Sequence, residues 1–462
     1  MSSTLHTDKT QKQSAAGSAK TTDRLAKSKK LYQRAMELIP GGTQLISRRP
    51  TRYANGVSPI FAARGKGPRI WDIDGNEYID WVSGIGSIIL GYADDVVDEA
   101  VKSQIDKGTN FSITHELEVE LAEELVKTIP CAEMVRYTRC GGEACAVAIR
   151  IARGTSGRDK VLFCGYHGWH DWYLAANHSE GNLNDHLFTG VEPTGVPKAL
   201  AGTCFPFPYG DLAALGETLD RHKGQVAAVI MEPMRSELPP EGYLAGVARL
   251  AKEHNAILIF DEVSTGFRLS EGGSQKALGV TPDMAVFAKS ISNGYAMGAV
   301  VGKRDVMEPA ARMFISSTYW GEAVGLMAAL TTLREIKKRE VPKYLLGYGQ
   351  QLQTRLNAVA KETGMPAEVT GHPIHPHWSF NVENAEQKAI LPTLYIQEMA
   401  KRGNHGYASF YLNAAQGQAE LDQAVDAARE TFTLIVDGLA KNNLEKLLEC
   451  DIQKEYFKRL VR

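Results

Sequence analysis

One short stretch of the chain reads Asp283-Met284-Ala285-Val286-Phe287-Ala288-Lys289-Ser290-Ile291-Ser292-Asn293-Gly294. An apolar run of this length that ends in small and polar residues is typical of a buried strand. A lysine at the end of such a strand is costly to bury unless it has a partner or a chemical task. Lys289 is therefore a candidate for Schiff-base chemistry, because burial favours the neutral amine that attacks a carbonyl group. The alternative is a lysine whose stem lines the core while its ammonium group reaches water.

Similar apolar runs alternate with helical patterns on both sides of this stretch. The predicted strands are Met134–Tyr137, Val161–Cys164, Val226–Met231, Ile257–Phe260, Met284–Ala288 and Ala299–Val301. The predicted helices between them are Ala144–Arg153, Leu212–Arg221 and Leu244–His254. This alternation predicts an α/β fold with a parallel or mostly parallel sheet that is covered by helices on both faces. The carboxyl ends of the parallel strands then meet at one edge, where ligands bind.

The length of the chain predicts more than one folded unit, because 462 residues exceed one ordinary core. Residues 1–30 are rich in Ser, Thr, Lys and Gln, which predicts a disordered tail without the apolar run of a secretory signal. We expect the rest to comprise an N-terminal segment over 31–80 that packs with the smaller domain, a large domain over 81–335, and a smaller α+β domain over 336–462.

The composition restricts the partners and the compartment. The chain has 44% hydrophobic residues, 23% charged residues and a net charge of −2, so it predicts neither a nucleic-acid partner nor an anionic membrane partner. No apolar run is long enough for a transmembrane helix. The six cysteines show neither zinc-knuckle spacing nor the density of a disulfide scaffold, which favours the reducing cytoplasm.

Residues that could bind a ligand or take part in catalysis follow the predicted strands at the common edge. Asp261 comes directly after the strand Ile257–Phe260 and needs a donor or a cation if it is buried. Gly141 and Gly142 precede a helix and can form an anion cradle from backbone N–H groups and the positive end of the helix dipole. Tyr166 follows another strand and can stack on a planar ring. The glycines match neither G-x-G-x-x-G nor a Walker A loop, which disfavours a nicotinamide dehydrogenase.

These features together fit pyridoxal 5'-phosphate (PLP), which has a phosphate, a planar ring, a ring nitrogen and an aldehyde. In this hypothesis Asp261 holds the proton on the ring nitrogen, which makes the ring an electron sink, and Lys289 forms a Schiff base with the aldehyde. Each feature has a structural alternative when taken alone: an ordinary turn for the two glycines, a helix N-cap for Asp261 and plain packing for Tyr166.

The run Ile257-Leu258-Ile259-Phe260-Asp261-Glu262-Val263-Ser264-Thr265-Gly266-Phe267-Arg268, with Lys289 downstream, resembles the class III (subgroup II) PLP-dependent aminotransferases. Within that family it is similar to the glutamate-1-semialdehyde aminomutase-like branch. The resemblance extends from about Leu31 to about Leu439. It implies a fold-type I PLP-dependent transferase, with a mostly parallel sheet of the seven-stranded type in a large domain and a smaller α+β domain.

Carried over residue by residue, the resemblance implies that Lys289 forms the Schiff base and that Asp261 pairs with the pyridine nitrogen. Val263 and Tyr166 then contact the two faces of the ring, and Gly141-Gly142 form the phosphate loop. That loop departs from the family pattern, because Cys140 stands where a serine usually supplies a hydroxyl. Thr318 matches a threonine that reaches the phosphate of a neighbouring subunit, which implies a homodimer with shared active sites.

The resemblance also suggests where a substrate binds. Arg48 follows Pro40-Gly41-Gly42-Thr43-Gln44, which matches the start of the aminomutase substrate loop, where an arginine binds a carboxylate. Arg235 is a second candidate for binding an anion. Ile85 replaces an aromatic residue of the aminomutase, so glutamate semialdehyde is not the expected substrate. We therefore expect a small amine with an anionic group.

The reaction stays open at this stage. Transfer or removal of an amino group through a Lys289 Schiff base and a quinonoid is the main hypothesis. The alternatives are an ammonia-lyase that performs β-elimination on a hydroxy-amino carboxylate or phosphonate, and an aminomutase. A non-catalytic relative is disfavoured because both Lys289 and Asp261 are present. His372, His375 and His377 resemble a metal cluster, but the intervening prolines impose an extended path that separates the side chains, so no metal is expected.

Overall fold

The computed structural model describes residues 23–178 and 194–453. The first helix already begins at Ala26, so the prediction of a disordered tail over residues 1–30 was wrong at its end. The reason is a distant cap: the carboxylate of Asp74 accepts hydrogen bonds from the backbone N–H groups of Lys27 and Ser28, at 2.7 and 3.0 Å. Local composition does not reveal such a partner. The rest of the predicted tail, up to residue 22, lies outside the described residues.

Thirteen strands form three sheets in the described part of the chain. Their bounds are β1 Ala62–Lys66, β2 Arg69–Asp72, β3 Glu77–Asp80, β4 Met134–Thr138, β5 Lys160–Cys164, β6 Cys204–Pro206, β7 Val226–Met231, β8 Ile257–Asp261, β9 Met284–Phe287, β10 Gly298–Gly302, β11 Ala367–Thr370, β12 His377–Phe380 and β13 Asn404–His405. The largest sheet has seven strands in the order β4-β10-β9-β8-β7-β5-β6. Only β10 runs antiparallel to its neighbours, so the sheet is mostly parallel, as predicted.

The described helices of the chain have the following bounds: α1 Ala26–Leu38, α2 Ser83–Gly86, α3 Asp95–Ile105, α4 Glu116–Thr128, α5 Gly141–Ser156, α6 Asp171–Leu174, α7 Leu212–Arg221, α8 Tyr243–Glu253, α9 Gly273–Leu278, α10 Arg304–Met307, α11 Ala323–Lys338, α12 Val341–Thr363, α13 Ala385–Lys401 and α14 Gln418–Ala440. Every residue of β7 and β9 is buried. Alternate residues of these strands belong to two separate apolar clusters, one of which contains α5. The central strands are therefore buried on both faces, which explains why they read as continuous apolar runs.

A second sheet of four strands joins distant parts of the sequence. Strands β2 and β3 form a hairpin, and β3 pairs in parallel with β13, through Ile79 with Asn404 and Asp80 with His405. Strands β11 and β12 form the third sheet. The N-terminal hairpin thus packs with the C-terminal part of the chain, while the division into domains stays a prediction. In residues 23–178 and 194–453 no helix combines the length and the apolarity needed to cross a bilayer.

The Gly266-Phe267-Arg268 motif connects these parts near the edge of the large sheet. A methyl group added to Gly266 would lie 2.6 Å from the carbonyl oxygen of Glu262, so the turn after β8 leaves no room for a side chain. Arg268 is fully buried and donates hydrogen bonds to the carbonyl oxygens of Leu412 and Gly86, at 2.6 and 2.8 Å. This guanidinium therefore holds the α2 turn and a C-terminal loop against the site described next.

Candidate active site

The large sheet brings the predicted residues to one edge. Asp261 is the last residue of β8, and Lys289 lies two residues beyond the end of β9. Tyr166 follows β5, and Gly141 begins α5 shortly after β4. Because β5, β8 and β9 are parallel, their carboxyl ends lie together, and the topology assembles the site from segments that are distant in sequence.

Asp261 is buried, with 4% of its surface exposed, and is held by three donors. Its Oδ2 lies 2.7 Å from Nδ1 of His167 and 3.5 Å from Sγ of Cys145. Its Oδ1 accepts the backbone N–H of Val263 at 3.0 Å. The sequence predicted that this carboxylate needs a partner but identified neither His167 nor Cys145. The clue to His167 was its place directly after Tyr166, whereas nothing in the local sequence marks Cys145.

Lys289 projects a half-buried side chain into the same region. Its Nζ donates a hydrogen bond to Oγ of Ser264 at 2.7 Å and lies 5.9 Å from the centroid of the Tyr411 ring. The backbone of Lys289 has a φ of 46°, in the left-handed region that residues other than glycine rarely adopt. Such strain persists where the surrounding structure imposes it, and it is frequent at functional sites. The amine is thus held next to a hydroxyl group and an aromatic ring.

The two glycines at the start of α5 form a tightly packed backbone surface. A methyl group added to Gly141 would lie 2.8 Å from Cγ1 of Val263, and one added to Gly142 would lie 3.1 Å from the ring of His170. Gly168 approaches from the other side, since its own added methyl group would lie 2.8 Å from Cα of Gly142. A side chain at Gly141 would displace Val263, so the packing at the start of α5 favours glycine. The first backbone N–H groups of the helix have no partner within the helix, and such groups can bind an anion.

Tyr166 lies beside this cradle and beside Asp261. Its backbone N–H donates to Oε2 of Glu232 at 3.3 Å. Burial raises the pKa of the Tyr166 phenol, and the neighbouring Cys145, Asp261 and Cys140 add to the shift. The phenol therefore keeps its proton at neutral pH, and its ring is available as an uncharged flat surface. Tyr166 also meets the ring of Tyr173 edge-on, with the centroids 6.1 Å apart.

These residues fit the groups of PLP. The first backbone N–H groups of α5, at Gly141 and Gly142, suit a phosphate because they lie at the positive end of the helix dipole. Val263 and Tyr166 supply an apolar and an aromatic surface for a ring. The buried carboxylate of Asp261 suits a protonated ring nitrogen, and the amine of Lys289 suits an aldehyde.

The sequence profile described as aminotransferase class-III matches residues 52–395. The chain belongs to the class-III aminotransferase family. It is a PLP-dependent enzyme of the transaminase type, so the predicted family, fold class, enzyme class and cofactor are confirmed.

Relatives of this class-III aminotransferase are similar over most of their length. The chain is 36% identical over 423 residues to a 3-aminobutyryl-CoA aminotransferase of Cloacimonas acidaminovorans, covering 88% of this chain and 97% of that one. It is 35% identical over 429 residues to a glutamate-1-semialdehyde 2,1-aminomutase of Nitratidesulfovibrio vulgaris, covering 87% and 98%. The FumI protein of Sphingopyxis sp. MTA144, solved as its PLP internal aldimine form, superposes with a TM-score of 0.81 at 26% identity, covering 90% and 98%.

The structure separates the two arginines that were predicted to bind the substrate. Arg235 lines a small cavity together with Ser264 and Tyr411, the two residues that contact Lys289. Its side chain is only 10% exposed, and its Nε lies 3.9 Å from Oε2 of Glu232. Arg48 instead lines another cleft, of about 560 Å³, together with Ile85. The two positions therefore belong to different cavities.

Thr318 lies on an exposed segment rather than in the buried site. Phe314 is 89% exposed and Tyr319 is 63% exposed in the same segment. The segment is attached to the glycine cradle, because Arg139 donates to the carbonyl oxygen of Tyr319 and Trp320 Nε1 donates to Glu143 at 3.3 Å. Phe314 and Tyr319 thus give this segment an exposed apolar surface close to the start of α5.

The three C-terminal histidines turn to different partners. His375 packs on the ring of Tyr411 at 4.4 Å, and His377 lies 3.2 Å from the hydroxyl of Thr370. His372 accepts the backbone N–H of Ile374 at 3.4 Å. Burial lowers the pKa of His372 and of His377. Only His375 lines the cavity that contains Arg235.

Proposed function

We propose that this chain transfers or removes the amino group of a small amine or amino acid that carries an anionic group. The observation that carries the proposal is Arg235, a cation with 10% exposure in the same cavity as Ser264, whose hydroxyl contacts Lys289. A buried guanidinium in a cavity that Ser264 also lines suits a carboxylate or phosphonate, because guanidinium groups pair well with such anions. Glu232 offsets part of this charge and orients the side chain.

Each residue of the candidate site has a separate role in the proposed reaction. PLP, when bound, supplies the electron sink that stabilises a carbanion at the substrate carbon. Lys289 accepts the proton from the carbon that carries the amine and returns it later in the reaction. The Ser264 hydroxyl orients Nζ of Lys289, and Asp261 keeps a proton on the ring nitrogen. Tyr166 and Val263 would hold the ring when the cofactor is bound.

An aminomutase is the second candidate reaction. The aminomutase relative at 35% identity favours it, and an amine shift needs the same lysine and the same electron sink. Ile85 argues against glutamate semialdehyde as the substrate, because an aromatic residue of the aminomutase is missing there. The proposal therefore extends to an amine shift on a different anionic substrate.

We also propose a homodimer in which the Thr318 segment covers the partner's cofactor site. The support is the exposed apolar surface formed by Phe314 and Tyr319, next to the cradle at Gly141 and Gly142. Analytical ultracentrifugation should give a dimer for the wild type. In Phe314→Glu we expect a larger monomer fraction together with weaker PLP binding, since the shared site would open. A dimer that stays intact and loaded in this variant would contradict the arrangement.

We propose a cytoplasmic location because the cysteines of the chain are free thiols. All six cysteines are free in the structure, and four of them are buried within strands, helices and adjoining turns. Proteins that fold without disulfides and retain free thiols are typical of reducing compartments. Fractionation of cells that express the full chain, followed by detection of the protein in the cytosolic fraction, tests this assignment.

The reaction can be decided with the loaded enzyme and a panel of small anionic amines. Transamination converts the bound cofactor to its amine form in single turnover, which a shift of its visible absorption band reports. Elimination releases ammonia and a carbonyl product without any amino acceptor. An amine shift yields an isomer of the substrate and no ammonia. Neutral analogues of the same amines serve as the control, and equal turnover of both sets would contradict the role of Arg235.

A further inference from the structure

The carboxylate of Asp261 is held unequally at its two oxygens. Oδ2 is the common target of Nδ1 of His167, at 2.7 Å, and of Sγ of Cys145, at 3.5 Å. Oδ1 accepts one backbone N–H, from Val263 at 3.0 Å. A carboxylate oxygen can accept about two hydrogen bonds. The side-chain donors therefore occupy Oδ2 and leave the remaining acceptor capacity on Oδ1.

The Cys145 thiol acts as a donor in this arrangement. Only 1% of the residue is exposed, and burial raises the pKa of its thiol well above the ordinary value, with the charge of Asp261 adding to the shift. The sulfur thus keeps its proton at neutral pH. An ionised carboxylate can only accept a hydrogen bond, so the S–H group donates to Oδ2.

The position of Cys145 connects the two halves of the cofactor site. It lies on α5 four residues after Gly141, so the two residues are on the same face of the helix. Gly141 packs on Val263, and Cys145 contacts Asp261 at the end of β8. Helix α5, whose N-terminus would bind the phosphate, therefore also contacts Asp261, whose carboxylate would pair with the ring nitrogen.

We propose that Cys145 is a positioning residue for the cofactor, which together with His167 turns the Asp261 carboxylate so that Oδ1 faces the ring nitrogen. The inference rests on the role that the proposed function gives to Asp261, and it is independent of the substrate. A thiol is a weak donor, so its contribution is moderate and lies in orientation. We expect the loss of this hydrogen bond to weaken cofactor binding before it affects other properties.

Two substitutions separate the hydrogen bond from the packing. Cys145→Val keeps a similar volume and removes the donor, while Cys145→Ser keeps a donor. We expect Cys145→Val to weaken PLP binding about five-fold, measured by titrating the cofactor-free full-length chain, and Cys145→Ser to stay near the wild type. Cys204→Val is the matched control, because Cys204 is also buried but lies on β6. Equal affinity in the valine and serine variants would overturn the proposal.

Infrared spectroscopy of the S–H stretch gives a readout that does not depend on catalysis. The difference between the wild type and Cys145→Ser isolates the Cys145 band. We expect this band at lower frequency than the Cys204 band, and we expect Asp261→Asn to shift it, because an amide accepts more weakly than a carboxylate. A band at the position of a thiol without a hydrogen bond would overturn the proposal. If no anionic amine is turned over, the proposed function fails while these binding and infrared results stand unchanged.

A metal site is the competing interpretation of the same cluster. One ligand atom from each of Cys145, His167 and Asp261 lies within 4.8 Å of the others. Binding would require the thiol to lose its proton and release its hydrogen bond. Titration of the cofactor-free chain with Co²⁺ decides this: uptake of one ion with a thiolate charge-transfer band that disappears in Cys145→Ser would overturn the positioning role. Absence of the band supports it.

Discussion

The carboxyl edge of the large sheet and the two arginine-lined cavities differ in how their residues are held. At the sheet edge, Asp261 ends the buried strand β8 and Lys289 follows the buried strand β9 by two residues, and each side chain has a defined partner. Arg235 extends from a loop, Arg48 from the short 3-10 helix Ile46–Arg48, and the two line separate cavities. The comparison suggests that the cofactor chemistry depends on the rigid core, whereas the choice of substrate depends on loops that can vary without disturbing the sheet.

The largest effect should follow from Lys289→Ala. This change removes the group that we propose exchanges the proton, and we expect turnover to fall about a thousand-fold or more. The measurement is steady-state turnover with the best substrate of the panel. Circular dichroism serves as the control for folding. A variant that kept wild-type turnover would contradict a catalytic role for Lys289 at the sheet edge.

Asp261→Asn should have the next largest effect. The amide keeps the shape of the side chain but lacks the negative charge that stabilises a protonated ring nitrogen, so we expect turnover to fall about a hundred-fold. The cofactor's absorption as a function of pH should change with it. Turnover within about two-fold of the wild type would show that the charge at the end of β8 is dispensable.

Substitution of the arginines tests the second region. Arg235→Gln should raise KM for an anionic amine about ten-fold or more, because it removes a charge-assisted hydrogen bond. A neutral analogue should respond little. Arg48→Gln is the matched comparison, since Arg48 lines the other cleft. If Arg48→Gln raised KM and Arg235→Gln did not, the substrate's anion would bind in the larger cleft.

The smallest effect concerns Glu262, the neighbour of Asp261. Glu262 accepts the backbone N–H groups of Ser274 and Gln275, at 2.8 and 3.1 Å, and thereby holds the start of α9. Burial raises its pKa above the ordinary 4.5, with these hydrogen bonds opposing the shift. We expect Glu262→Gln to lower the free energy of unfolding by about 1 kcal/mol, because the amide has one acceptor oxygen whereas Glu262 uses both of its oxygens for these bonds.

The sign of the pH dependence follows from the raised pKa. The contribution that this titration makes to stability is complete below pH 4.5 and is lost as the pH rises through the folded-state pKa. Glutamine does not titrate, so the difference between wild type and Glu262→Gln should narrow as the pH rises from 4.5. Urea unfolding at several pH values measures it. A difference that stays constant with pH would mean that Glu262 has its ordinary pKa in the folded chain.

Much of the fold could be predicted because the central strands carry an unambiguous signal. A strand buried on both faces is apolar throughout, and a helix between two neighbouring strands favours their parallel pairing, so the edge that carries Asp261 and Lys289 followed from the order of elements. The edge strands β1, β6, β11 and β13 were missed. Edge strands have few apolar residues, since they are only partly covered.

The chain order thus determined the mostly parallel sheet, the strand ends that carry Asp261 and Lys289, and the glycines that begin α5. Only the tertiary structure decided what holds these groups: His167 and Cys145 on the carboxylate, Ser264 beside the amine, and the assignment of Arg235 and Arg48 to separate cavities. The physical reason is the range of the interactions. Burial patterns and helix starts are local properties of the sequence, whereas a hydrogen bond such as that between Cys145 and Asp261 joins residues 116 positions apart.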